Sequence, residues 1–208
     1  MPRSRLRALD PVLRRNLAID MGTSAGVGLS MTLVGVLIPV VTRRAGLDAL
    51  GLAVMATAPF LANVLALFAG RVGVRSPASL VAVRVLGGAA LVLMAVAPGN
   101  GAIILLVMGF WLTVALAAPY QVRLWGQIYP PAAQGRLVGA VGTARAATSA
   151  IGALVGGALA DRIGGLEVVA LGGLAGIVIA NLAWGFVVPR GDTGAAYDLD
   201  RKSTRLNS

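Results

Sequence analysis

The chain is divided into six blocks of apolar residues, at roughly 17–41, 50–70, 79–97, 102–119, 137–160 and 167–188. Each is about as long as a membrane is thick. An α-helix rises 1.5 Å per residue, so about 20 residues cross the roughly 30 Å of hydrocarbon in a bilayer. Backbone amides in hydrocarbon must be satisfied within their own segment, which makes blocks of this length helices. The breaks between them carry turn chemistry, as in Thr42-Arg43-Arg44-Ala45-Gly46 and Pro98-Gly99-Asn100-Gly101. Tyr120 to Gly135, with Pro130-Pro131, reads as the longest connection. The expected fold is an all-α membrane protein with six transmembrane helices over 17–188, after a polar segment at 1–16.

Hydrophobic residues make up 57% of the 208 positions and charged residues 12%. That is about half the charge a water-facing surface requires. There is no histidine and no cysteine, hence no imidazole base, no thiolate nucleophile and neither of the usual zinc ligands. No cofactor or metal is expected. No enzyme is expected either, since hydrolysis within a membrane calls for histidine, paired acids or a Ser/His pair. The net charge of +10 does not point to nucleic acid, because the arginines flank apolar blocks and are not gathered on one face with aromatics.

Those arginines set the expected orientation. Arg3, Arg5, Arg7, Arg14, Arg15, Arg71, Arg75, Arg123, Arg136 and Arg190 fall on one side, ten against the three of Arg43, Arg44 and Arg162. The richer side is cytoplasmic, so the N-terminus is expected inside, in the cell membrane (the inner membrane of a bacterium). Tyr120, Trp125 and Tyr129 fall at that same face, where aromatic rings favour the headgroup level. Residues 189–199 then begin a cytoplasmic linker. Residues 200–208, DRKSTRLNS, carry the single lysine of the chain against seventeen arginines. They match the translation of a common sequencing adapter and are expected to be foreign to the natural chain, which then continues elsewhere.

Three ionisable residues lie inside apolar blocks: Asp20, Arg84 and Arg145. Their helices run outward, which puts them about 5, 8 and 12 Å below the cytoplasmic boundary. An unpaired charge at the bilayer centre costs at least about 2.5–3.5 kcal/mol. Asp20 and Arg84 therefore either snorkel to the interface or face a cavity or a partner. Arg145 is deeper, and function or a buried ion pair is expected for it. Trp111, near the middle of the fourth block, is either packing or a platform for a ligand. These four are the candidates for a substrate or ion pathway. Gly152 and Gly156, one turn apart, and Gly157 offer a surface for close helix packing.

Ala69-Gly70-Arg71-Val72-Gly73, after the second block, recurs as Ala160-Asp161-Arg162-Ile163-Gly164 after the fifth. Two three-helix units so related would be inverted repeats. The stretch Ala66-Leu67-Phe68-Ala69-Gly70-Arg71-Val72-Gly73-Val74-Arg75 is similar to Gly-x-Leu-Ala-Asp-Arg-x-Gly-Arg-Arg, the motif between helices two and three of the major facilitator superfamily. Gly70 replaces the family's aspartate. Gly152-Ala153-Leu154-Val155-Gly156-Gly157 is similar to the Gly-Pro-x-x-Gly-Gly of helix five in its drug/proton antiporters, without the proline. Gln134-Gly135-Arg136 resembles the Arg-Gly-Arg that opens that helix.

The chain thus resembles the N-terminal six-helix half of a major facilitator. The resemblance implies half of a twelve-helix fold, with a C-terminal half of the same chain as its missing partner. It also implies alternating access, a gating loop containing Arg71, Gly73 and Arg75, and proton-coupled efflux of a small molecule. Asp20 is the acidic residue placed to carry H⁺. The alternative is a complete six-helix protein, such as a substrate-capturing subunit or a channel.

Overall fold

The structure, a computed structural model, describes residues 10–68 and 74–188. Among them six helices are long and apolar enough to cross a membrane. They are α1 (Pro11–Arg44), α2 (Ala49–Phe68), α3 (Pro77–Met94), α4 (Asn100–Ile128), α5 (Pro131–Ile163) and α6 (Gly165–Ala180). A 3₁₀ turn, Asn181–Gly185, extends α6. The described residues contain no strand. The repeat copy at 69–73, with Arg71 and Gly73, lies outside the described residues, as do 1–9 and 189–208.

Local chemistry moves some expected boundaries. Asp10 caps α1, accepting the Val12 amide at 3.4 Å, and Pro11 supplies a preset φ at the first helical position. Residues 11–16, ahead of the apolar block, are therefore already helix. Ser76 and Ser79 form a reciprocal cap on α3, again ahead of a proline, Pro77. In α1 the segment Leu33–Leu37 widens into a π turn. Pro39 explains it: the ring lacks an amide and would clash with the Gly35 carbonyl, and a wider turn relieves both. Gly164, at φ +98°, alone joins α5 to α6, a conformation that side chains disfavour.

The expected long connection at 120–135 does not exist. α4 continues to Ile128 and α5 starts at Pro131. Tyr120, Gln121, Leu124 and Ile128 are buried, so this polar-looking stretch has an inward face that holds it in the helix.

α1 and α5 lie side by side, pointing the same way. Thr148 Oγ1 donates to the Ala25 carbonyl and Ser149 Oγ to the Gly28 carbonyl, each at 2.9 Å. A Cβ at Gly28 would fall on the Arg145 carbonyl oxygen, while one at Gly152 or Gly156 would meet Leu29 or Leu33. Gly152 and Gly156 are packing glycines. Gly157 is not: nothing lies within 4 Å of where its Cβ would be. α3 and α6 touch backbone to backbone at Gly88 and Gly173, where an added Cβ would sit 2.6–2.8 Å from the opposite carbonyl. α4 packs on α2 and α3, α6 also touches α1, and α5 meets α6. Asn16 ties the two ends of the bundle, bonding both the carbonyl (2.7 Å) and the amide (3.1 Å) of Val187.

The apolar interior forms two separate layers. One, containing Leu17, Leu80, Leu124 and Leu137, lies toward the start of α1. The other, containing Leu33, Ile38, Leu91 and Val107, lies toward its end.

Candidate functional site

Between the two layers is a cavity of about 90 Å³, room for a few waters or a small ligand. Its walls come from Thr23 to Ser30 of α1, Arg84 to Gly88 of α3, Phe110 to Gln121 of α4, Arg145 of α5 and Gly176 and Ala180 of α6. The stretches of α1, α3, α4 and α5 fall near the middle of their helices and that of α6 in its last turns, so the cavity sits about halfway through the bundle.

Asp20 lies one turn below the cavity and is only 1% exposed. It does not snorkel. Its Oδ2 accepts from Trp125 Nε1 at 2.7 Å and from the Tyr129 hydroxyl at 2.8 Å, and its Oδ1 accepts from Gln121 Nε2 at 3.3 Å. Residues 121, 125 and 129 recur every four positions, so the end of α4 presents all three donors on one face. Burial, and then the neighbouring carboxylate, push the Tyr129 hydroxyl above the usual phenol range, so it remains a donor.

Gln121 also donates to Ser24 Oγ at 3.3 Å, and its Oε1 accepts from Arg84 Nη2 at 3.1 Å. Arg84 Nη1 donates to the Thr23 carbonyl at 3.1 Å. Arg84 therefore does not snorkel either: its guanidinium is engaged inside the bundle, with Nε left buried and without a partner. The amide of Gln121 has one workable orientation. Arginine can only donate and an ionised carboxylate can only accept, so the oxygen must face Arg84 and the nitrogen Asp20.

Arg145 is treated differently. It lines the cavity, yet its guanidinium makes no hydrogen bond among the described residues, and its Nε is buried without a partner. No ion pair within 4.0 Å joins Asp20 to Arg145 or Arg84. Arg44 and Asp161 do meet, at 3.9 Å, but both are about three-quarters exposed, where such pairs contribute little.

The expected site residues thus divide. Asp20, Arg84 and Arg145 converge on the cavity or its floor. Trp111 does not: it packs edge-on against Phe110, with ring centroids 5.5 Å apart, in the apolar layer. Arg75 lies before α3, its amide bonded to Ser79 Oγ at 3.0 Å, away from the cavity. Sequence reasoning assigned Trp125 and Tyr129 to a headgroup belt and left Gln121 in a connection. Their four-residue spacing was the signal that would have placed them together. No cluster of three or more metal-ligating side chains occurs among the described residues.

The chain matches no family model, no curated protein and no solved structure.

Proposed function

We propose that the chain is the six-helix half of a secondary active transporter, with the central cavity as its substrate site. The observation that carries this reading is the cavity itself. It lies halfway along α1, α3, α4 and α5, has an apolar layer at each end, and is lined by arginines from α3 and α5 with a buried carboxylate from α1 beneath it. Unpaired or bridged charges at such depth are expensive and mark pathways for ions or substrates.

Two further features support the reading. Exchanging α1 with α4, α2 with α5 and α3 with α6 turns the α1–α5 pairing into α4–α2 and the α1–α6 pairing into α4–α3. The α3–α6 pairing maps onto itself. The α5–α6 pairing has no equally extensive counterpart between α2 and α3 among the described residues. Apart from that pair, the pairings are compatible with two inverted three-helix repeats.

Second, α5 is at once the least apolar and the least buried of the six helices. Its outward positions include Gly139, Gly142, Ala146, Ala150 and Ala153. A poorly apolar helix with a small-residue face suits close contact with protein better than contact with lipid, and the occupant we propose is a second six-helix unit encoded beyond codon 199. Alternating access then rocks the two units about the cavity. Asp20 carries the coupling proton, and outward transport is what the resemblance of the helix-five glycines implies. The arginine count assigns the N-terminus to the cytoplasm of a cell membrane, so a reporter after residue 190 should be cytoplasmic and one in the 98–101 loop external.

The test is reconstitution of the gene restored beyond codon 199 into liposomes holding a pH-sensitive dye. A panel of small organic anions, cations and neutral compounds is then added. One class should drive proton movement, and Asp20→Asn should abolish it. No proton or solute movement with any class overturns the reading.

A further inference from the structure

The cavity has an imbalance of charge that specifies its ligand. Two guanidiniums, Arg84 and Arg145, contribute to its walls, and no acidic side chain does. Asp20 is the nearby acid, but its carboxylate lies below the cavity and is engaged by Gln121, Trp125 and Tyr129. With Asp20 ionised, one positive charge remains uncompensated in the middle of a membrane bundle. Arginine keeps its proton, so the imbalance cannot be removed by titrating it away.

The donors are also unsatisfied. Among the described residues Arg145 has no hydrogen-bond partner and its Nε is buried, and Arg84 has a buried Nε without a partner. Both groups open on the same space. Around them the walls are apolar, supplied by Val27, Phe110, Val114 and Ala117. Guanidinium forks match the planar oxygen pairs of carboxylate and nitrate, and they bind these far better than neutral groups once water is excluded.

We infer that the cavity binds a small monovalent organic anion, its planar oxyanion head held by Arg145 and Arg84 and its compact apolar body against Phe110 and Val114. This rests on the cavity being the substrate site of the proposed transporter, and it names the substrate's class.

Binding can be measured without transport. Purified chain in nanodiscs is titrated with radiolabelled propionate at constant ionic strength. Nitrate serves as a second anion, and propionamide as the neutral isostere. Wild type should bind propionate saturably, nitrate should compete, and propionamide should not. Arg145→Gln should weaken binding by at least about tenfold, the loss of one charge-assisted bond. Arg145→Lys should retain part of it, as a point charge without the fork.

Absence of saturable binding overturns the inference, as does equal competition by propionamide or undiminished binding in Arg145→Gln. If the glutamine variant fails to fold, the lysine variant and the propionamide comparison still decide. Saturable propionate binding without any flux would remove the transport reading and keep the anion site. Flux of a cation or neutral compound without anion binding would do the reverse.

Discussion

Asp20 and Arg145 are charges inside one bundle, on neighbouring helices, one buried and one half-buried, yet the protein treats them in opposite ways. Asp20 is enclosed by three donors from the end of α4. Arg145 faces the cavity with none. A buried charge left unmade costs more than its bonds return when made. A chain that supplies three partners to a carboxylate but none to an arginine two turns higher has left that arginine for something outside itself. The contrast separates a charge the fold completes from a charge the fold offers.

The sharpest way to break the contrast is to break the clamp that keeps the two apart. Gly28→Leu would force a side chain into the Arg145 carbonyl, and backbone cannot retreat as a side chain can. We expect almost no monodisperse protein from detergent extracts. Gly156→Leu should be milder, because its Cβ meets side-chain ends, of Leu33 and Val168, and no backbone.

Next in size is Asp20→Ala, which strips the acceptor from three donors. Interhelical hydrogen bonds in membranes contribute roughly 0.6–1.7 kcal/mol each, so unfolding in mixed detergent should become easier by about 2–5 kcal/mol. Trp125→Phe removes one of the three and should cost about 1 kcal/mol in the same assay.

The smallest effect should come from Arg145→Ala. Having no partner to lose, it should change stability by under about 1 kcal/mol while abolishing transport. A double-mutant cycle with Asp20→Asn should give a coupling below about 0.5 kcal/mol. If the double variant instead recovered expression that both single variants lose, the two would be a functional ion pair and the contrast would be wrong.

Much of the fold was legible because hydropathy over twenty residues is a strong signal. The number of helices, the charges within them and the roles of Gly152 and Gly156 could all be read from residue type and spacing. What could not be read was which way side chains turn. Gln121, Trp125 and Tyr129 are polar or amphipathic residues near a block's end, where composition suggests a loop or an interface. Only the packing of α4 against α3, with its end reaching Asp20 of α1, makes their shared face an inner one. The starts of two helices were hidden for a related reason. Asp10-Pro11 and Pro130-Pro131 start their helices about six residues before the apolar run begins, so Asp20 lies about 14 Å and Arg145 about 21 Å along the helix. Trp111 shows the converse: an aromatic in mid-membrane faces the cavity or the packing according to a rotation that its block does not encode.

A primary amide has two unlike ends, and Gln121 fits between Arg84 and an ionised Asp20 only one way round. A proton on Asp20 would cancel that asymmetry, because a neutral carboxyl can donate as well as accept. Gln121 would then lose its fixed polarity, and Arg84 its guaranteed acceptor. The presence of one proton on α1 would thus be written as the direction of one amide on α4 and read as freedom of one guanidinium on α3. That is a message carried across three helices before any of them has to move.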